Sequence, residues 1–155
     1  ASSRIQDAVP LCAGDLDEVR LASTIVDCRE KAHSAAFLID LESVRLQYDR
    51  FRKSMPLVSP YYAVKCNSDH GVLTHLARLG CGFEVASQSE LLLANSILRQ
   101  FGKRKIERAG GNARVLFSHP VKPVSAIQAA LDASTPLLAV AFDSMEELRK
   151  IVLVA

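Results

Sequence analysis

The chain has 155 residues, of which 49% are hydrophobic and 23% charged, the balance of an ordinary globular domain. The formal net charge of +2 implies neither a nucleic-acid partner nor a membrane-surface partner. The four cysteines show neither CxxC nor metal-ligand spacing, which predicts free thiols, no metal site and a reducing, cytoplasmic location. The longest apolar runs, such as 137–142, are too short to span a bilayer, and residues 1–10 lack the apolar core of a signal peptide. Because the chain begins at Ala1, we expect a processed or cut N-terminus.

Short apolar segments alternate with helical patterns along most of the chain. The predicted strands are 37–40, 58–64, 83–86, 114–118 and 137–142. The predicted helices are 41–53, 69–79, one that begins after Ser87, 123–132 and 144–151. Alternation at this spacing predicts parallel βα units with right-handed crossovers and with helices packed outside the sheet.

Lys65 lies at the end of the predicted strand 58–64, directly before a helix start. Asn67, Ser68 and Asp69, which follow it, are all residue types that cap helix N-termini. At the end of a buried parallel strand, desolvation lowers the pKa of a lysine and leaves its amine free to act as a nucleophile. The position is therefore typical of a Schiff-base lysine, and the alternative is a lysine whose stem packs at a strand end while its amine reaches water.

Four segments in this order resemble the ornithine decarboxylase family of pyridoxal-phosphate enzymes. They are 61–67 (YYAVKCN), 82–91 (GFEVASQSEL), 115–122 (VLFSHPVK) and 141–144 (AFDS). Members of that family have an alanine-racemase-like (β/α)8 barrel and a β domain. The resemblance implies an α/β fold, the N-terminal half of a pyridoxal-phosphate-binding (β/α)8 TIM-like barrel, truncated after about four of the eight strands that a closed barrel needs. Residues 1–35 would belong to the β domain and 36–155 to the partial barrel.

The resemblance assigns roles to five residues. Lys65 matches the lysine that bonds to pyridoxal 5'-phosphate, and Ala63 matches a small residue that leaves room for the cofactor ring. Glu84 stands where the family usually has aspartate, and its charge would favour the protonated lysine–cofactor bond, although it could instead pair with a neighbouring cation as an ordinary strand-end carboxylate. Ser87 and Glu90 match the second segment as cofactor-binding residues, and their spacing is also that of a capping box.

Three further features carry expectations of their own. His119 stands where the family has asparagine, at a strand end where barrel sites are built, but a lone histidine more often has a structural than a catalytic role. Asp143 is expected to support the site. The basic stretch 100–112 is longer than the family pattern, which favours a solvated loop or a helix extension over a phosphate or RNA contact.

The function implied by the resemblance is that of a pyridoxal-phosphate-dependent carboxy-lyase. The expected reaction is ornithine to putrescine in polyamine biosynthesis, by a homodimer, with an antizyme-like regulator as a possible partner. A diaminopimelate, arginine or lysine decarboxylase is one alternative, and a non-catalytic protein of the antizyme-inhibitor type is another, although the presence of Lys65 argues against it. In the family the phosphate-binding loop and the product-protonating cysteine lie beyond the four matching segments, so residues 1–155 alone are expected to be inactive.

Overall fold

The structure, a computed structural model, describes Ser23, Val26 and residues 39–108, 115–132 and 137–155, without the side chains of 102–108. The chain divides into two units, 1–39 and 40–155, and the second contains the sheet and its helices. The elements of this second unit are α1 (Leu41–Ser54), β1 (Tyr61–Ala63), a 3-10 helix (Val64–Cys66), α2 (His70–Arg78), β2 (Gly82–Val85), α3 (Gln88–Arg108), β3 (Val115–Phe117), α4 (Val124–Leu131), β4 (Leu137–Val140) and α5 (Met145–Val154). The predicted segment 1–35 lies almost wholly outside the described residues, and its assignment to a β domain stays a prediction.

The four strands form one parallel sheet in the order β1-β2-β3-β4. Each consecutive pair of strands is joined by a helix, so the predicted parallel βα units are confirmed. One sheet face packs on the helices, and its strand residues are fully buried: Phe83, Val85, Val115 and Phe117. Leu73 and Leu76 of α2 and Leu91 and Ile97 of α3 belong to the same core. Burial of these side chains is the main stabilising contribution to the sheet-and-helix layer.

The opposite sheet face carries a row of residues that are less buried. Ala63 is in register with Glu84, Glu84 with Leu116, and Leu116 with Ala139. Side chains alternate between the two faces of a strand, so this row faces away from the helices. In a closed barrel such a face would be the interior.

The predicted first barrel strand was too long at both ends. Val58 belongs to a turn in which its N–H donates to the carbonyl of Met55 (3.0 Å), and Pro60 has no N–H to give to a strand ladder. Val64–Cys66 forms a 3-10 helix instead of continuing the strand. Lys65 therefore lies one step beyond the sheet and not within it.

Other boundaries also moved for identifiable reasons. Asp40, predicted to lie in a strand, is the N-cap of α1 and accepts from the N–H groups of Glu42 (2.9 Å) and Ser43 (3.2 Å), whereas Phe37 and Leu38 lie outside the described residues. Ala86 leaves β2 because its N–H is used in the cap of α3. Strand β4 ends at Val140, two residues earlier than predicted.

Two predicted helix ends are well explained. Asp69 is the N-cap of α2, since its carboxylate accepts from the N–H of Val72 (3.0 Å). Gly80 ends the same region with φ of 85°, a backbone conformation that glycine adopts without strain. Helix α3 continues to Arg108, so residues 100–108 of the basic stretch extend the helix, as one of the two expectations for this stretch had it. Residues 109–112 lie outside the described part of the chain. Within the described residues, no helix combines the length and apolarity needed to cross a membrane.

Candidate active site

The candidate site lies at the carboxyl ends of three neighbouring strands. Lys65 follows β1, Glu84 lies within β2 one residue before its end, and Ser118 follows β3. Because the strands are parallel and adjacent, their carboxyl ends meet at one edge of the sheet. That edge is where (β/α)8 barrel enzymes build their active sites.

Lys65 and Glu84, both predicted from the sequence, are brought together. Lys65 Nζ lies 3.7 Å from Glu84 Oε1, within ion-pair distance. The Lys65 side chain is 59% exposed and the Glu84 side chain 24% exposed. The expected burial of the lysine is therefore wrong for this structure, because Lys65 stands on the 3-10 helix beyond the strand. The proximity of the carboxylate, and not desolvation, is what distinguishes this lysine.

Ser118 holds the Glu84 carboxylate and was not identified from the sequence. Its hydroxyl donates to Glu84 Oε1 at 2.5 Å, and its backbone N–H donates to the carbonyl of Val85 at 2.9 Å. Ser118 is thus fixed to β2 by its backbone as well as by its side chain. The sequence does carry one indication of its role, since Ser118 is a polar residue at the carboxyl end of the strand next to that of Glu84.

Ala63 lies beside this carboxylate on the same sheet face. It is in register with Glu84, and its side chain is only a methyl group. The space next to the Lys65–Glu84 pair is therefore not filled by a large side chain from β1. The neighbouring residue of β1, Tyr62, holds the segment that follows Lys65, because its hydroxyl donates to the carbonyl of Asn67 at 3.4 Å.

Ser87 caps the start of α3 as its spacing from Glu90 predicted, but the Glu90 carboxylate accepts from the N–H of Ala86, one residue before the cap, so only the serine half of the predicted capping box is formed. The Glu90 N–H donates to Ser87 Oγ (3.2 Å), and Glu90 Oε2 accepts from the N–H of Ala86 (2.8 Å). Both side chains therefore hold the start of α3 next to the carboxyl end of β2. Their predicted contacts with a cofactor remain predictions.

A cavity of about 570 Å³ lies beside the cap of α3. Its lining comes from the β2–α3 connection, from Phe117 and from the segment between β3 and α4, including Ala86, Ser87, Gln88, His119, Val121, Lys122, Pro123 and Ala126. Lys65 and Glu84 do not line it. The cavity therefore adjoins the candidate site without containing its charged pair.

Lys122 is a buried cation that organises the segment after β3. Its side chain is 1% exposed, and Nζ donates to the carbonyls of Ala141 (2.6 Å) and His119 (3.0 Å). Nζ also lies 3.1 Å from Glu147 Oε1, and the Lys122 N–H donates to the same oxygen at 3.0 Å. This cluster joins the β3–α4 and β4–α5 connections at the same edge of the sheet.

The Glu147 carboxylate is the anion of that cluster. Its hydrogen bond with Lys150, and then those from Lys122, lower its pKa from the ordinary value of 4.5 to about 2 against the opposing effect of burial. Glu147 therefore stays ionised over the whole physiological pH range. Its N–H also donates to Ser144 Oγ (3.2 Å), the N-cap of α5.

Within the part of the chain that the structure describes, neither His119 nor Asp143 has a hydrogen bond or ion pair with Lys65 or Glu84. His119 Nδ1 accepts from the N–H of Val121 (3.2 Å), a local contact that supports the structural interpretation. Asp143 is exposed. Any part of either residue in catalysis remains a prediction. Among the described residues, no group of three or more His, Cys, Asp or Glu side chains could hold a metal ion.

A family model described as "Pyridoxal-dependent decarboxylase, pyridoxal binding domain" matches residues 41–155. The chain belongs to this family. Ornithine decarboxylase of Caenorhabditis elegans is 30% identical over 139 residues, which cover 88% of this chain and 30% of the relative. Antizyme inhibitor 2 of Xenopus laevis is 36% identical over 117 residues, which cover 76% of this chain and 23% of the relative. The chain thus spans a third or less of the length of these relatives.

Solved structures of the same group have the same fold. Ornithine decarboxylase from Entamoeba histolytica matches with a TM-score of 0.57 and 30% identity, over 75% of this chain and 30% of the other. The arginine decarboxylase of Paramecium bursaria Chlorella virus matches with a TM-score of 0.60 and 27% identity, over 84% of this chain and 33% of the other. The predicted fold class, the resemblance to the family and pyridoxal phosphate as the family's cofactor are therefore confirmed.

The residues present fit this cofactor. An amine stands at the open edge of the sheet, a carboxylate lies 3.7 Å from it, and an alanine leaves space beside them. An aldehyde requires such an accessible amine, and the carboxylate can balance positive charge on the nitrogen.

Proposed function

We propose that this chain supplies the lysine-bearing part of a pyridoxal-phosphate-dependent amino-acid decarboxylase that converts ornithine to putrescine. The observation that carries the proposal is the Lys65–Glu84 pair, held by Ser118 at the carboxyl edge of a parallel sheet. Membership of the decarboxylase family supports the reaction class. Ornithine decarboxylases of nematode, yeast and mouse, at 30–33% identity, support the choice of ornithine.

The residues of this chain would divide the work as follows. Lys65 would hold the cofactor through its amine, which is exposed enough to be reached. When bound, the cofactor supplies an electron-accepting ring for the bond that breaks. The Glu84 carboxylate lies 3.7 Å from Lys65 Nζ and would balance positive charge on that nitrogen when it is bonded to the cofactor. Ala63 leaves the space beside them open, and Ser87 and Glu90 fix the adjoining helix start.

The proposal extends to the setting of the enzyme. It would act in polyamine biosynthesis in the cytoplasm, as a homodimer, and an antizyme-like protein would regulate it; the similarity to antizyme inhibitor 2 supports the last point. Residues 1–155 alone would be inactive, because the four parallel strands of the described residues do not close a barrel and leave strand edges unpaired.

A non-catalytic role is the second candidate. It is favoured by the 36% identity to antizyme inhibitor 2. It is opposed by the Lys65–Glu84 pair, because a protein that only binds a regulator needs no amine beside a carboxylate. Substrates other than ornithine are a further alternative, supported by the fold similarity to the viral arginine decarboxylase.

Substrate-dependent release of carbon dioxide separates these candidates. The protein at its full natural length would be given pyridoxal phosphate and, in separate assays, ornithine, lysine, arginine or diaminopimelate. We expect turnover with ornithine that is lost in Lys65→Ala and kept in Lys53→Ala, a matched change at an exposed lysine of α1. Turnover only with another amino acid would show that ornithine is not the substrate. Equal turnover of Lys65→Ala and the wild type would show that Lys65 does not hold the cofactor.

A further inference from the structure

Ser118 is set beside Glu84 by the sheet itself. Glu84 is in register with Leu116, and Val85 with Phe117, so β3 ends one residue before Ser118. The Ser118 N–H then donates to the carbonyl of Val85 at 2.9 Å, which continues the ladder beyond the last pair. The backbone of Ser118 is therefore held against β2, and its hydroxyl starts from a fixed point next to Glu84.

The hydroxyl has one hydrogen to donate, and two acceptors lie near it. Glu84 Oε1 is at 2.5 Å and the carbonyl of Val85 is at 3.4 Å. The shorter distance, and the charge of the carboxylate, make Glu84 the acceptor. The single hydroxyl hydrogen of Ser118 is thus donated to the Glu84 carboxylate.

The same carboxylate oxygen faces Lys65. Oε1 lies 2.5 Å from the serine hydroxyl and 3.7 Å from Lys65 Nζ, so the serine contact is a hydrogen bond and the lysine contact is a looser ion pair. The Lys65 side chain is 59% exposed, so water competes for its ammonium group and weakens its hold on the carboxylate. The serine is the fixed member of the three.

We propose that Ser118 is a positioning residue whose hydroxyl holds the Glu84 carboxylate beside the Lys65 amine. The negative charge is then in place before any carbonyl compound reaches the lysine, and no rearrangement is needed to bring it there. The placement of Glu84 by Ser118 is independent of the reaction. Its value for bonding a cofactor rests on the proposed function.

Zero-length cross-linking measures this placement without cofactor or activity. A carbodiimide activates a carboxylate, which an amine in contact with it then attacks to form an amide, while the carbodiimide takes up the elements of water and leaves as a urea. In the cofactor-free protein at its full natural length, mass spectrometry would give the fraction of Lys65 joined to Glu84. We expect Ser118→Ala to lower this fraction at least threefold and Ser118→Thr, which keeps the hydroxyl, to restore it.

Ser125→Ala is the matched control. Its hydroxyl lies in the same part of the fold but donates to Gln88 Oε1 (3.3 Å) and not to Glu84, so the cross-linked fraction should not change. Thermal midpoints of all variants identify loss of folding. An unchanged fraction in Ser118→Ala would overturn the proposal, as would a fall that Ser118→Thr does not restore.

A second readout uses the bound cofactor. In Ser118→Ala and in Glu84→Gln, the pH at which the absorbance of the bound cofactor changes should move to lower values, and the double variant should show no further shift. A shift in the double variant equal to the sum of the two single-variant shifts would overturn the proposal. If the wild type does not bond pyridoxal phosphate at Lys65, the proposed function fails, and the cross-linking result still decides the role of Ser118.

Discussion

The buried ammonium of Lys122 gives the sharpest test of how the edge of the sheet is held. Lys122→Met keeps the length and apolar stem of the side chain and removes only the charge and its donors. The side chain is 1% exposed, so water cannot take over the lost contacts. The carbonyls of Ala141 and His119, at 2.6 and 3.0 Å from Nζ, lose their donor, and a cation 5.8 Å from the Phe117 ring centre disappears.

The expected loss follows from these contacts. Removing one partner of a buried ion pair costs about 3–5 kcal/mol. Two hydrogen bonds from a charged donor, at about 1.5–3 kcal/mol each, give a similar figure. The remaining carboxylate keeps its contact with Lys150, so we place the loss for Lys122→Met near the lower end, at about 3 kcal/mol. That is a large part of the roughly 5–15 kcal/mol by which a domain is stable.

Urea unfolding followed by circular dichroism measures this loss. Lys53→Met, at an exposed lysine near the end of α1, is the control, with an expected change within about 0.5 kcal/mol. A second variant, Lys122→Met combined with Glu147→Leu, removes both charges and should be more stable than Lys122→Met alone. A loss below about 1 kcal/mol for Lys122→Met would show that the buried cluster does not hold this edge.

Three further results are expected. Glu84→Gln should lower the decarboxylation rate about ten- to a hundredfold, roughly 1–3 kcal/mol of transition-state stabilisation, while Glu84→Asp stays active; equal rates for Gln and wild type would refute this. Because the pKa of Glu147 is lowered to about 2, its contribution to stability should be complete above about pH 4.5 and disappear as the pH falls towards 2. Urea titrations between about pH 4.5 and 2 should show the free energy of unfolding fall with pH less steeply in Glu147→Gln than in the wild type. The same pH dependence in both proteins would contradict this expectation. Burial raises the pKa of Cys81 to about 11, so iodoacetamide at about pH 8 should label exposed Cys66 and leave Cys81 unmodified until the protein unfolds; labelling of both thiols at equal rates in the folded protein would contradict this.

The alternation of strands and helices could be predicted because it depends on local patterns. The apolar spacing of α2 and the capping residues Asp69 and Ser87 indicate their elements within a few residues of sequence. The end of β1 could not be predicted in the same way. Val64 continues the apolar run, but the backbone turns into a 3-10 helix there, and Tyr62 bonds the segment that follows.

The site was predictable only in part. Lys65 and Glu84 were found because they stand at strand ends within segments that resemble a known family. Ser118 was missed because its hydrogen bond spans 34 residues of sequence and depends on the register of β2 and β3. Lys122 and Glu147 were missed because lysine and glutamate are rarely buried, and nothing in the local pattern indicates a pair that joins two connections.

Covalent labelling of one lysine tests the central claim most directly. The protein at its full natural length would be incubated with pyridoxal phosphate, reduced with borohydride and mapped by peptide mass spectrometry. The account predicts that the cofactor mass is found on the peptide containing Lys65, at one equivalent per chain, and that Lys65→Ala removes it. Labelling at another lysine, with Lys65→Ala labelled and active like the wild type, would contradict the account.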